Sequence, residues 1–407
     1  MISISGFLKN LIKKIFGEKV SAYLSRIYRA ISLFRIRDLI LLRYYLVRLR
    51  ISKKFQNLLD IPIKAESHSY LEVGEKNRVS MKGYKNVTNR TKPHILFATE
   101  KWCEHNPKFG PSNDDHNFLG SLEASGLATY DRLNSDEYDY KRHRSFDMEL
   151  LLKSIKSKPD LIIIHWQMAP LKLKTLKLIK ENLQIPVVAI WGDLVNHVEE
   201  AEVLLPFVDF NLVLDTIAAP IREKITQVEK YLWLWTPQDP RIYHNPNIRR
   251  DIDVSFLGTM RGHPDRRAGI LALKSNGIDV YQTGGQREKR LSIDEYALIY
   301  KRSKIALNFC YHSNDRVQIK GRVFEATSCD AMLMEADNPE TAKLFKPMVD
   351  YVPFIDERDL VEKVRYYLAH DSERMEIAAR GHKKAKEKYT SEIFWKTVFR
   401  KVFGADF

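Results

Sequence analysis

Cysteine is scarce in this sequence: of 407 residues only Cys103, Cys310 and Cys329 carry a thiol. They lie far apart with no Cys-x-x-Cys pairing, which argues against a disulfide framework and a zinc site and fits a reducing compartment. The Asn-x-Thr triplets at Asn86 and Asn89 would matter only in a secreted chain. Long apolar runs are missing from the N-terminal region. The longest clean run near its middle is Leu39-Ile40-Leu41-Leu42, far short of the ~20 residues that span a bilayer, so neither a signal peptide nor a transmembrane helix is expected there. Acidic residues are rare in the same region. Residues 1–54 hold thirteen Lys and Arg against Glu18 and Asp38, a net +11 of the chain's +14. An Asp-x-Asp metal pair at the end of a strand is also lacking. Asp251-Ile-Asp253 has the spacing but precedes a strand, on the wrong side of a sheet. No second basic patch with interleaved aromatics occurs, which excludes nucleic acid as the expected partner.

What residues 1–54 do have is amphipathic pattern. In Phe7-Leu8-x-x-Leu11-Ile12-x-x-Ile15-Phe16 apolar pairs recur near helical period, with Lys9, Lys13 and Lys14 between them. From Tyr23 to Ile51, Leu, Ile, Phe and Tyr alternate with seven arginines. Basic helices with an apolar face settle in the interface of anionic membranes, each basic residue adding about 1 kcal/mol near the surface. The expected location is cytoplasmic and peripheral at the membrane; helices packed on the body or on a partner are the alternative.

Residues 1–60 are read as this basic helical segment and 61–92 as a linker or irregular extension. Two runs of alternating strands and helices follow, over 93–236 and 237–387, with a closing helix over 388–407. The strands His94–Thr99, Leu161–His165, 185–190 and 208–215 are short apolar runs, and 171–183 forms an amphipathic helix between two of them. The pattern pauses at the prolines around Trp233–Pro240. It restarts with Asp253–Leu257 and runs through helices at 264–275, 293–302, 321–328 and 358–369. This alternation gives an α/β chain with two doubly wound parallel sheets, whose ligands sit beyond the carboxyl ends of the strands. The last helix carries the apolar stripe Phe394-Trp395-x-x-Val398-Phe399 and must pack on something.

The densest chemistry lies in Lys320-Gly-Arg322-Val-Phe-Glu325, where a loop enters a helix. Backbone N–H groups at a helix start attract phosphate, and Lys320 and Arg322 add full charges suited to a diphosphate. Glu325, one turn on, can accept hydrogen bonds from ribose hydroxyls. A solvated Arg–Glu pair is the plain alternative. Gly258-Thr-Met-Arg261-Gly262 follows the first strand of the second unit. Its glycine allows close backbone approach to a phosphate and Arg261 can pair with one, although a simple turn fits as well. Gly284-Gly285 reads as a turn.

These segments resemble the C-terminal half of group 1 glycosyltransferases. The resemblance rests on Ser303-Lys-Ile-Ala-Leu-Asn308-Phe309, the Lys-Gly-Arg-Val-Phe-Glu box, the strand ending in Glu335, and Asp350-Tyr-Val-Pro-Phe. Asp359-Leu-x-x-Lys363-Val-x-Tyr366-Tyr-Leu continues it, and the branch with spore-maturation-type enzymes is the nearest. It is strong over 252–387, weaker over 93–236 and absent over 1–90. It implies the GT-B fold: two Rossmann-like domains facing a cleft, the C-terminal one for the nucleotide sugar and the N-terminal one for the acceptor. By the same resemblance Glu325 holds the ribose, and Lys320 and Arg322 the diphosphate. His165, in His165-Trp166, lies near the transferred sugar. Asp193 matches a family aspartate and can take the acceptor's proton; a helix N-cap is its plain alternative. Asp114, Asp115 and His116 are rival bases. Two departures stand out. Val317 occupies the place of a glutamate found in many retaining members, which leaves the stereochemical outcome open, and Asp330 replaces a common glycine.

The expectation is thus a metal-independent, hexosyltransferase-like enzyme with no cofactor besides its nucleotide-diphosphate sugar donor. A lipid-linked saccharide or a cell-surface polysaccharide precursor would be the acceptor. A catalytically silent GT-B scaffold and a sugar-nucleotide epimerase remain as alternatives.

Overall fold

A computed structural model of the protein describes residues 90–138, 146–168, 171–214, 219–283, 291–313, 316–404 and 407. The basic segment 1–54 with its membrane reading, most of the 61–92 extension and Gly284-Gly285 lie outside the described residues. Among the described residues no helix is long and apolar enough to cross a membrane.

The first sheet has six parallel strands: β1 (His94–Thr99), β2 (Thr129–Asn134), β3 (Leu161–His165), β4 (Val187–Trp191), β5 (Phe210–Val213) and β6 (Tyr231–Trp233), in the order β2-β1-β3-β4-β5-β6. The central strands are almost unbroken runs of Ile, Val, Leu and Ala because both faces are covered. Leu96, Ala98, Ile162, Ile164, Val187 and Ala189 meet the helices Phe146–Ser157, Leu173–Leu178 and Val198–Leu204 on one face. On the other, Ile95, Phe97, Ile163, Val188 and Ile190 meet Phe118 and Leu122, and also Phe394, Trp395, Val398 and Phe399 from the helix Ser391–Phe403. The chain's last helix therefore completes the core of its first sheet. Buried Trp395 donates from Nε1 to Ser121 Oγ at 2.9 Å.

The second sheet is built from β7 (Ile252–Leu257), β8 (Tyr281–Thr283), β9 (Ser303–Asn308), β12 (Met332–Ala336) and β13 (Val352–Phe354), parallel in the order β13-β12-β9-β7-β8. A small antiparallel hairpin, β10 (Tyr311–Ser313) with β11 (Arg316–Val317), follows β9. The helices Pro264–Ser275 and Glu357–Ala369 cover one face through Ile270, Leu273, Leu360 and Val364. The helices Ile293–Arg302 and Gly321–Ser328 cover the other through Ala297, Tyr300, Val323 and Phe324.

Each sheet contains one place where the winding direction reverses. In the first, the chain goes outward from β1 to β2 and then returns to β3; in the second it goes from β7 to β8 and returns to β9. Loops leaving the carboxyl ends of two such strands diverge to opposite faces and leave a crevice between them. These two crevices are where the polar chemistry collects.

Three elements differ from the sequence reading. β2 (TYDRLN) is an edge strand with one neighbour, partly exposed along most of its length, so it carries no apolar run to find it by. The expected helix over 171–183 is α-helical only over Leu173–Leu178 and widens into a π-helical turn over Ile179–Leu183. Phe118–Ser125 likewise enters through a π-helical turn, Asp114–Leu119.

Candidate functional site

At the second crevice, β7 ends at Leu257 and β9 at Asn308, and Arg322 reaches over both. Its Nε donates to Asn308 Oδ1 at 2.9 Å and its Nη1 to the Leu257 carbonyl at 3.3 Å, with the guanidinium 5.6 Å from the Phe256 ring. Asn308 in turn donates from Nδ2 to Oε1 of fully buried Glu335 at 2.8 Å. Burial pushes the Glu335 carboxyl up to about 7, against the pull of its hydrogen bonds. Gly258 is small for Arg322's sake: a Cβ there would stand 2.9 Å from the Phe256 ring and 3.1 Å from Arg322 Nη1. The role read for this glycine, close approach to a phosphate, is thus joined by a second, close approach to a guanidinium.

Glu325 does not pair with Arg322. It is 7% exposed and accepts from the Tyr296 hydroxyl at 2.9 Å. Burial raises its carboxyl to about 7, while the Tyr296 bond and the charge of Arg322 act the other way. A solvated surface pair is therefore excluded, because both side chains turn inward to different partners. Lys320 is the N-cap of the helix, and its ammonium donates to Gln318 Oε1.

Arg261 is exposed, and its backbone N–H meets Thr259 Oγ1 at 3.2 Å. The buried cation of this loop is Arg266, which the sequence reading did not single out. It is 4% exposed, donates from Nη1 to the Thr259 carbonyl at 2.8 Å and lies 5.8 Å from the ring of Phe256. Burial, then the charge of Arg322, lowers its pKa to about 10. The two guanidiniums thus flank one aromatic ring at the end of β7, and they repel each other. The signal in sequence was faint: Arg266-Arg267 inside a predicted helix reads as solvated surface.

At the first crevice, His165 ends β3. Its Nδ1 lies 2.9 Å from Asp114 Oδ2, and its Nε2 lies 3.4 Å from Gln167 Oε1. Burial works to lower the imidazole pKa, but the Asp114 charge and the hydrogen bonds outweigh it, and the net direction is up. Glu100, just beyond β1, is 6% exposed. Its carboxyl is pushed up to about 7 by burial and then by Asp114.

The structure separates the rival bases. Asp114 is buried against His165 and Asp115 accepts from Arg132, while burial lowers the His116 imidazole to about 4. Asp193 makes no capping hydrogen bond to the turn that follows it. Its Oδ1 instead accepts from Gln318 Nε2, on the other sheet's side, at 2.9 Å, and Gln318 also reaches the Gly192 carbonyl at 3.3 Å. Asp193, Gln318 and Lys320 therefore form one polar chain between the first sheet and the second. Asp251 and Asp253 are engaged with Arg302 and Lys304, 2.7 and 2.6 Å away, at the opposite end of the sheet from Arg322.

Residues 250–399 match a family profile described as glycosyl transferase-like. No curated protein sequence matches the chain significantly. Among solved structures, HepE of Anabaena with UDP and glucose superposes with a TM-score of 0.53 at 10% identity, covering 76% of this chain and 99% of that one. Sucrose-phosphate synthase from Thermosynechococcus elongatus gives 0.52 at 10% identity, covering 77% and 99%. A glycosyltransferase from Rickettsia africae gives 0.51 at 7% identity, again covering 77% and 99%. At such identities the likeness establishes architecture: two Rossmann-like parallel sheets arranged as the GT-B fold.

Proposed function

We propose that this chain is a glycosyltransferase that takes a hexosyl unit from a nucleoside-diphosphate sugar, and that it sits nearest the spore-maturation-type branch of the group 1 enzymes. The observation that carries the reading is that Arg322, bonded to Asn308 and the Leu257 carbonyl over the crevice of the second sheet, stands one helical turn before the separately held, buried carboxyl of Glu325. In this reading the ribose hydroxyls donate to Glu325. Arg322, Arg266, Lys320 and the start of the Gly321–Ser328 helix neutralise the diphosphate, with Gly258 and Arg261 bordering it and no metal in that role. The profile match over the same residues supports it.

The acceptor lies against the first sheet. There His165 takes the proton of the acceptor hydroxyl at Nε2, while Asp114 holds the imidazole by Nδ1 and stabilises the imidazolium that forms. Asp193 faces the cleft from the next strand and orients the acceptor once Gln318 gives way. The basic segment docks the enzyme on the anionic cytoplasmic face of a membrane, where a lipid-linked saccharide or a surface-polysaccharide precursor is presented.

The test is nucleotide binding. UDP and UDP-glucose are the first probes, followed by other nucleoside diphosphates and their sugars, with thermal shift and calorimetry as readouts. Wild type is expected to bind one of them, and Glu325→Ala to bind it with a loss on the order of 1.5–3 kcal/mol while staying folded. Equal affinity of the two proteins for every nucleotide would overturn the assignment.

A further inference from the structure

A second cluster lies away from the donor residues, beyond the carboxyl ends of β1 and β2. Asp136, in the turn after β2, accepts from the backbone N–H groups of Lys101 and Trp102 at 2.5 and 3.0 Å through Oδ2, and its Oδ1 lies 2.7 Å from His105 Nδ1. Glu100 completes the group. Its Oε2 lies 3.9 Å from the same His105 nitrogen, too far for a hydrogen bond. That oxygen is buried and has no partner. One donor atom from each of Glu100, His105 and Asp136 falls within 4.8 Å of the others.

A buried carboxylate oxygen without a partner needs an explanation. As an anion it has no counter-charge at contact distance, because the His105 proton is directed to Asp136. As a neutral acid with the proton on Oε2, its O–H would find no acceptor. We propose that Glu100, His105 and Asp136 bind a first-row divalent cation, zinc being the one this ligand set suits best.

Two carboxylate oxygens and one imidazole nitrogen are hard-to-borderline donors. Three protein ligands with a fourth, open position make a common zinc arrangement. Zinc bonds of about 2.0–2.2 Å in a tetrahedron place any two donors roughly 3.3–3.6 Å apart. The His105–Asp136 contact is shorter than that spacing and the Glu100–His105 contact longer, each by less than an ångström, and Glu100 closes on Asp136 from no more than 4.8 Å. On binding, a neutral imidazole moves its proton from Nδ1 to Nε2 through solvent, a charged one releases the Nδ1 proton to solvent, and Nδ1 turns its lone pair to the metal. The two carboxylates then balance the ion's charge. The scarcity of cysteine pointed away from zinc, and this ligand set uses none. The three ligands come from two separate turns spread over positions 100 to 136, a spacing that matches no short motif. Bound there, the ion ties the loop leaving β1, which closes on itself through Cys103 N–Gly110 O and Ser112 N–Lys101 O, to the turn after β2.

Metal-stripped full-length protein should be titrated with Zn²⁺ by calorimetry, alongside Glu100→Gln and His105→Ala. Wild type is expected to take up one equivalent with micromolar or tighter affinity and to gain thermal stability. Each variant should bind at least tenfold more weakly and lose the stabilisation. His197→Ala, which removes a half-buried imidazole beside Glu200, should bind as wild type does. Absence of the single equivalent in wild type, or undiminished uptake by Glu100→Gln and His105→Ala with unchanged circular dichroism, would overturn the proposal.

Discussion

Burial lifts the Glu325 carboxyl to about 7 in the free protein, and a ribose would favour its ionised form. Donors that hydrogen-bond to the carboxylate favour its ionised form, so nucleotide affinity should rise as pH passes through about 7, with proton release on binding. Calorimetry between pH 6 and 8 in buffers of different ionisation enthalpy measures both, and Glu325→Gln should flatten the profile. Asn308 is the other residue with leverage, because one side chain joins Arg322 to Glu335. Asn308→Ala leaves the guanidinium without its Nε partner, and we expect about a tenfold loss in nucleoside-diphosphate affinity, roughly 1.4 kcal/mol, with circular dichroism unchanged. At this scale the sequence put Lys320, Arg322 and Glu325 where a loop enters a helix, and they stand there in the structure. It was uninformative for Arg266 and for the Asp193–Gln318 contact. Burial of one arginine and a bond across 125 residues leave no local pattern.

Apolar periodicity marked the buried elements well: β1, β3 and the helices over 264–275, 293–302 and 321–328 lie where their patterns placed them. Elements with one wet face, such as β2 and the β10–β11 hairpin, were silent because a strand with a single neighbour needs no apolar run. The apolar stripe of the last helix announced that it must pack, but not on which sheet. It covers the first, and Trp395 stands at the centre of that contact, 6.1 Å from Phe97 and hydrogen-bonded to Ser121. Trp395→Ala should destabilise by about 3–5 kcal/mol, read as a shift in the denaturant midpoint of the whole transition. Truncation after position 390 should uncover the Ile95–Phe97 face and bring ANS binding or aggregation.

Seen whole, the described part of the molecule holds three carboxyls raised to about 7: Glu100, Glu325 and Glu335. A carboxyl whose folded pKa exceeds its unfolded one binds its proton more tightly when folded, so its contribution to stability falls as pH rises from about 4.5 through 7. His165, raised when folded, contributes stability that is complete below its unfolded value near 6.5 and is lost as pH climbs through the folded one. His116, lowered to about 4, works in the opposite sense, but only between about 4 and 6.5. Between about 6.5 and 7.5 the three carboxyls and His165 act in the same direction. The ligand-free, metal-free protein should lose a few degrees of Tm between pH 6.5 and 7.5, roughly as expected for a few kcal/mol in a chain of this size, and Glu335→Gln should lessen the slope. The basic segment makes a separate prediction. Deleting residues 1–54 should abolish flotation with anionic liposomes and leave nucleotide affinity unchanged; equal flotation of the full chain with neutral and anionic vesicles would remove the membrane reading.

The return of the last helix to the first sheet also has a mechanical consequence. Among the described residues the chain crosses between the two sheets twice, once after β6 and once near Tyr389, and the crossings touch where the rings of Trp235 and Tyr389 meet edge to face at 5.1 Å. Two bodies joined by a single strap can twist and swing in any direction. Joined by two straps laid side by side, they fold like the covers of a book about one spine. Any opening of this cleft is then a bend about that spine, resisted by the hydrogen bond that ties Gln318 to Asp193.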